Sequence, residues 1–365
     1  MKINIAAPDI GADEIAAVTA VLESGILACG PRTAELEARF AQFVGTKHAV
    51  GMNSGTAALM VALQALGVGP GDEVITVPFT FIASANSILY VGAKPVFVDI
   101  TDADFNLDPA LLEEALTPRT KAVMPVYLYG QTAEMAPITD FCQKHDLSLV
   151  EDACQAHGAK DQGKMAGSFG LGCFSFYPTK NMTTSEGGMI TLDDPELTHR
   201  CDMIRNHGSQ KRYYHEMLGF NFRMTDIEAA IGLVQLGKLE RNNAARKANA
   251  RFYGEALKDV AGIVLPQELP GRTHVWHQFT LRVAPECKVS RDSLAEELGK
   301  RGIGTAIYYP LPLHQQVWFQ KLANDWGCFP VAERISQEVL SIPVHPKLSQ
   351  GDLEEVAEAV EAICK

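Results

Sequence analysis

Short apolar runs alternate with segments of helical period through the first two thirds of the chain, and this alternation restricts the fold more than any other feature. The runs are EVITV at Glu73–Val77, KPVFVDI at Lys94–Ile100, KAVMPV at Lys121–Val126 and LSLVED at Leu147–Asp152. Before and between them lie Thr56–Leu66, Ile82–Tyr90, Pro109–Leu116 and Pro137–His145, each spaced as a helix. Continuous apolar strands separated by helices predict an α/β fold, with a mostly parallel sheet covered on both faces. The glycines of GVGPGDE (Gly67–Glu73) precede a strand, so they predict a turn and not a dinucleotide-binding loop, which would follow one. A long helical pattern runs from about Thr225 to Leu257, with Thr225-Asp226 as its N-cap region. Beyond it, strand-like Gln278–Val283, a charged helix at Arg291–Arg301, a strand near Gly304–Tyr309 and an amphipathic helix at Gln350–Ile363 predict a smaller α+β domain. The expected domains are residues 1–245 and 246–365.

A chain of 365 residues with 47% apolar content can bury a sizeable core. No apolar run reaches the roughly 18 residues that read as a membrane helix. The first residues, MKINIAAPDIGADE, lack the apolar stretch of a signal peptide. Eight cysteines occur without C-x-x-C spacing, which argues against a disulfide framework or a metal centre and predicts a cytoplasmic protein. The formal charge of −12 argues against nucleic acid as a partner. Any anionic ligand must be held by a few placed groups.

Four motifs carry the chemistry. NSGTAAL (Asn53–Leu59) opens a helix with small polar residues, which suits either a phosphate site or an ordinary N-cap. VPFTFIAS (Val77–Ser84) places Phe81 at a strand-to-helix junction, where it either covers a planar ring or joins the core. LVEDACQAHGA (Leu147–Ala159) ends an apolar strand in Glu151-Asp152, with Gln155 three residues beyond; strand carboxyl ends are where open α/β sheets bind ligands. CFSFYPTKNMTTSEGGMI (Cys173–Ile190) places Lys180 after a strand, with Ser175 five residues before it. A partly desolvated lysine becomes an amine nucleophile. Phosphate cradle, flat aromatic, carboxylate and activated lysine, in that chain order, describe a site for pyridoxal phosphate, with the carboxylate keeping the ring nitrogen protonated.

These motifs, with SGILACGPRTAELEARFA (Ser24–Ala41), GFNFRMTDIEAAIG (Gly219–Gly232) and FPVAERISQEVLSIPVHP (Phe329–Pro346), resemble the DegT/DnrJ/EryC/StrS sugar aminotransferases over essentially the whole chain. That resemblance implies the fold-type I pyridoxal phosphate scaffold. It implies Lys180 as the Schiff-base lysine, Asp152 at the pyridine nitrogen, Gln155 near the ring hydroxyl and Phe81 in the stacking position. Gly55, Thr56 and Ser175 would hold the phosphate. Asn221 and Arg223 would reach the neighbouring subunit's site, which implies a homodimer with shared active sites. Relatives with histidine in place of the lysine catalyse dehydration; here the residue is Lys180.

The resemblance further implies transfer of an amino group from L-glutamate to a nucleotide-linked keto sugar. TTSEGG (Thr183–Gly188) is similar to the T-T-x-E-G-G wording of relatives that aminate carbon 4, with Ser185 where glycine is usual. The expectation is therefore a 4-keto-6-deoxyhexose. The locally basic RNHGSQKRYYHE (Arg205–Glu216) is a candidate for the diphosphate, or else a solvated surface loop. In YYPLPLH (Tyr308–His314), Tyr309 and His314 are candidate sugar contacts, although a structural histidine fits as well. The alternatives are a 3-keto sugar or keto-inositol as acceptor, a cofactor-binding protein without turnover, and a carbohydrate-binding protein without cofactor.

Overall fold

The structure is a computed structural model and describes residues 2–322 and 326–365. Before the long helix come strands β1 (His48–Met52), β2 (Glu73–Thr76), β3 (Lys94–Phe97), β4 (Thr120–Val123), β5 (Ser148–Asp152), β6 (Lys160–Asp161), β7 (Lys164–Met165), β8 (Leu171–Ser175) and β9 (Gly188–Leu192). After it come β10 (Ile263–Val264), β11 (Arg272–Thr273), β12 (Phe279–Val283) and β13 (Val339–Ile342). A seven-stranded sheet has the order β1-β9-β8-β5-β4-β2-β3. From β8 to β3 every neighbouring pair is parallel, and β9 runs antiparallel to both β8 and β1.

Side chains alternate between the two faces of a strand, so one strand feeds two cores. Val74, Ala122, Val150, Cys173 and Ile190 pack on one face with the helices Gly55–Ala65 and Pro195–Arg205. Their neighbours Ile75, Val123, Leu149, Phe174 and Met189 pack on the other, with Leu36, Phe40, Ile138 and Ala229. This two-sided burial is why the strands read as unbroken apolar runs. The turn predicted at Gly67–Glu73 is present, with Gly67 at φ +77° and Gly71 at φ +93°.

The long helix spans Asp226–Ala256 and starts at a capping box between Thr225 and Glu228. Its Leu239 lies in the core of the large sheet, whereas Ala250 and Tyr253 lie in a second core. The expected boundary between residues 245 and 246 falls inside this helix, which runs unbroken from one core to the other. The second core is built on the antiparallel sheet β10-β12-β13 with helices Arg291–Lys300 and Gln350–Cys364. It also takes in Ile3, which bridges Ile303. The strand expected near Gly304–Tyr309 does not form: Ala306 alone bridges Ser341, and the segment continues toward the large sheet as a loop. Within the described residues, no helix is long and apolar enough to cross a membrane.

Candidate active site

Asp152 is the last residue of β5, at the carboxyl end of the parallel strands. The helix Ile82–Tyr90 starts beside it, and Ser84 Oγ donates a 2.7 Å hydrogen bond to Asp152 Oδ2. Thr80 and Ser84 hydroxyls lie 2.9 Å apart, which extends the chain of polar groups. Strand alternation sends the preceding carboxylate the other way. Glu151 is fully buried and accepts from the backbone N–H groups of Gly167, Phe169 and Gly170 at 2.6–2.7 Å, and from Tyr127 at 2.9 Å. Of the two adjacent acids, Glu151 pins a loop and Asp152 faces a cavity.

Lys180 sits on the loop between β8 and β9. Two backbone bonds clamp the loop's ends together: Phe176 N–H to Gly187 O at 2.9 Å and Thr184 N–H to Phe176 O at 3.0 Å. Lys180 N–H closes a turn onto Tyr177 O at 2.9 Å. Desolvation pushes its ammonium below the ordinary lysine range, opposed in part by Cys154 and Asp152. The amine is thereby biased toward the neutral, nucleophilic form.

The helix Gly55–Ala65 points its N-terminus at the same place. Ser54 caps it by accepting from Ala57 N–H at 3.1 Å. A Cβ added at Gly55 would lie 2.7 Å from Ser175 Cβ and 3.0 Å from Cys154 Sγ, so only glycine lets the helix end sit this close to β8. The free N–H groups of the first turn and the hydroxyls of Thr56 and Ser175 are the kind of donors that hold a phosphate.

These elements enclose a cavity of about 470 Å³, within the range of small-molecule and cofactor sites. Gly55, Thr56, Phe81, Asp152, Gln155, Ser175, Lys180 and Tyr309 all line it. Phe81 precedes its helix, is 54% exposed, and lies 6.1 Å from the Tyr309 ring. Gln155 Oε1 accepts from Tyr129 N–H at 2.8 Å, which orients its amide toward Tyr309 Oη at 3.4 Å.

Three of the expected site residues do not line this cavity: His314, and the pair Asn221 and Arg223 that is expected to serve a neighbouring subunit's site. His314 is buried at 4% exposure with Nε2 3.0 Å from Glu333 Oε1 and its ring against Phe329, so it is occupied away from the site. Asn221 and Arg223 lie on a segment that runs beside Met52 and Asn53, with Asn53 N–H donating to Phe222 O at 2.8 Å. Phe220 and Phe222 stack at 4.8 Å and pack inward, which leaves Asn221 exposed; Arg223 Nη1 donates to Asn206 Oδ1 at 2.8 Å. In the basic segment, Arg205 is buried against Glu37 and Gly51 O, whereas Lys211 and Arg212 are exposed.

Several lining residues escaped the sequence reading: Ser84, Tyr129, Cys154, Tyr177, Glu186 and His277. Glu186 had a signal, its place in TTSEGG. His277 had none, because it arrives from the segment just before β12, about a hundred residues beyond the lysine. Burial, then the charges of Lys180 and Arg246, push its imidazole well below the usual range, so it is neutral. Among the described residues that line the cavity, Lys180 is the only lysine or arginine.

The donor set fits pyridoxal phosphate: a glycine-dependent helix N-terminus for the phosphate, a carboxylate at the sheet end for a ring nitrogen, and an amine between them. The DegT/DnrJ/EryC1/StrS aminotransferase family matches over residues 8–361. A pleiotropic regulatory protein of Geobacillus stearothermophilus is 45% identical over 344 residues, covering 93% of this chain and 91% of that one. A UDP-N-acetyl-3-dehydro-α-D-glucosamine 3-aminotransferase of Acidithiobacillus ferrooxidans is 43% identical, covering 93% and 90%. Among solved structures, Streptomyces venezuelae DesV in complex with a ketimine intermediate superposes with a TM-score of 0.92 at 41% identity, covering 96% of this chain and 94% of that one. With the match running nearly end to end and the cavity built as that chemistry requires, the chain belongs to the DegT/DnrJ/EryC1/StrS family and is a pyridoxal phosphate-dependent sugar aminotransferase.

Proposed function

We propose that the protein transfers an amino group from L-glutamate to a nucleotide-linked keto sugar, at carbon 4 of a 4-keto-6-deoxyhexose. The observation that carries the reading is the meeting of Lys180 and Asp152 in one cavity against the N-terminus of helix Gly55–Ala65. Bound pyridoxal phosphate supplies an electron sink for the pair left when a C–H bond breaks beside the amino group. Nζ of Lys180 holds the cofactor, then takes the donor's α-proton as a base and gives it back as an acid. Asp152, steadied by Ser84, keeps a proton on the ring nitrogen. Gln155 would lie near the ring hydroxyl, Phe81 would cover a ring face, and Gly55, Thr56 and Ser175 would hold the phosphate. Tyr309 closes the sugar side.

The active unit in this reading is a homodimer with shared sites. The donor's carboxylates and a nucleotide diphosphate need cations, and the cavity of one chain offers only Lys180 among its described lining residues. Arg223, with the exposed Lys211 and Arg212, lies outside its own cavity and is available to a neighbour's, alongside Asn221. The eight free thiols support a cytoplasmic setting.

Carbon 4 is supported by Thr183–Gly188, which reads T-T-x-E-G-G. The second reading, carbon 3, is favoured by the 43% identical relative named as a 3-aminotransferase. The test is a panel of nucleotide-linked 3-keto and 4-keto sugars with glutamate, the products assigned by NMR. A new C–N bond at carbon 4 is expected. Amination at carbon 3 alone overturns the position, and amination of no keto sugar overturns the function.

A further inference from the structure

We propose that Glu186 binds hydroxyl groups of the sugar substrate; the proposal rests on the keto-sugar reading above. Glu186 lines the cavity that Lys180 and Asp152 share and is exposed within it. Among the described residues its carboxylate has no hydrogen-bond or ion-pair partner. Asp152, the other carboxylate in the wall, is already engaged by Ser84.

The backbone that presents Glu186 is fixed from both sides. Thr184 Oγ1 donates to Glu186 O, and Phe176 N–H donates to Gly187 O at 2.9 Å. Thr183 Oγ1 bonds Phe176 O at 2.8 Å and accepts from Ser185 N–H at 3.0 Å. Gly187 sits at φ +148°, where an added Cβ would lie 2.2 Å from Thr184 Oγ1. Ser185, a non-glycine residue, is held at φ +78°. Strain of this kind persists where the surroundings enforce a particular side-chain placement.

The chemistry of the occupant follows from charge. A free carboxylate in the wall repels the phosphate and carboxylate groups that such a site must also admit. Its two oxygens accept hydrogen bonds only, so it suits a neutral polyhydroxylated group. Bonds to a charged acceptor are stronger than neutral ones, so a sugar hydroxyl held here orients the ring. Glu186 thereby separates the two substrates: it accepts from the sugar's hydroxyls and repels the two carboxylates of the amino donor.

The experiment compares the two half-reactions in wild type, Glu186→Gln and Glu186→Ala. The donor half is followed by cofactor absorbance with L-glutamate. The acceptor half is followed by turnover of a nucleotide-linked 4-keto-6-deoxyhexose, with calorimetric binding of the amino-sugar product as a second readout. Relative to the donor half, kcat/KM for the sugar is expected to fall about 10- to 100-fold, mainly through KM, and product binding to weaken in parallel. An analogue lacking the bound hydroxyl should lose as much in wild type and no more in Glu186→Gln. Equal losses in both halves, or loss of assembly through a broken contact with a partner subunit, would overturn the proposal. So would unchanged sugar kinetics and binding. Wild-type protein that aminates no keto sugar overturns instead the reading on which the proposal stands.

Discussion

Gly55 and Ser175 approach so closely that a methyl group on Gly55 would lie 2.7 Å from Ser175 Cβ and 3.2 Å from its Cα. The helix end and the strand end of the proposed phosphate cradle are therefore fitted to each other without a side chain between them. Gly55→Ala must push the helix off β8. Overpacking of this kind costs about 1–3 kcal/mol. The expected result is a lower melting temperature together with weaker pyridoxal phosphate binding in a fluorescence titration. Full cofactor affinity in Gly55→Ala would show that the cradle lies elsewhere.

Ser84 is expected to matter through Asp152. Ser84→Ala leaves Asp152 Oδ2 without its 2.7 Å donor, while the backbone bond from Cys154 N–H to Oδ1 at 3.3 Å remains. A hydrogen bond to a charged group is worth about 1.5–3 kcal/mol. The glutamate half-reaction should slow by about tenfold or more, with circular dichroism unchanged. Asp152→Asn should slow it far more. Stopped-flow absorbance measures both, and a Ser84→Ala rate equal to wild type would remove Ser84 from the site.

The depressed Lys180 titration has a stability signature in the apoprotein. Its folded-state pKa lies below the ordinary 10.5, so between the two values the unfolded chain binds the extra proton. Stability then rises with pH across that window and levels off above 10.5. Denaturant unfolding of apoprotein at several pH values should show wild type gaining on Lys180→Met as pH increases. A constant difference between the two would mean that Lys180 titrates normally.

Shared sites predict complementation. In a mixed dimer, one subunit carries Lys180→Ala and the other carries Asn221→Ala with Arg223→Ala. Both defects then fall in one site and the second site is intact. About half of wild-type turnover should return, although each parent dimer is inactive. A verified mixed dimer with no activity would assign each site to a single chain.

Ser185 offers a stabilising change. An L-residue in the left-handed region costs about 1–2 kcal/mol, against about 0.5–1 kcal/mol for the added freedom of glycine in the unfolded chain. Ser185→Gly should raise the melting temperature by about 2 °C at most, read by scanning calorimetry. A drop would indicate that the serine side chain carries a compensating contact.

Much of the sheet was legible because its strands are buried on both faces. Glu73–Thr76, Lys94–Phe97 and Ser148–Asp152 coincide with apolar runs to within a few residues, and the helix at Ile82–Tyr90 matches residue for residue. The reading failed at Gly304–Tyr309, where residues suited to a strand find only one bridge, from Ala306 to Ser341. Strand propensity describes a fit to neighbours, and those neighbours are supplied by the fold.

By itself, the sequence determined the order of the chemistry: a small-residue helix start, an acid closing an apolar strand, and a lysine after a later strand. Local pattern suffices there, because each motif sits at the end of an element whose period is visible. Only the tertiary structure decided which side chains meet. Strand alternation turned Glu151 onto the loop at Gly167–Gly170 and Asp152 into the cavity. Packing gave His314 to Glu333 and buried Arg205 against Glu37, deciding two groups whose part the sequence alone left open. The chain brought His277 and Tyr309 in from far beyond the lysine. Contacts between residues a hundred positions apart depend on how the sheet and the long helix pack in space, which no local pattern encodes.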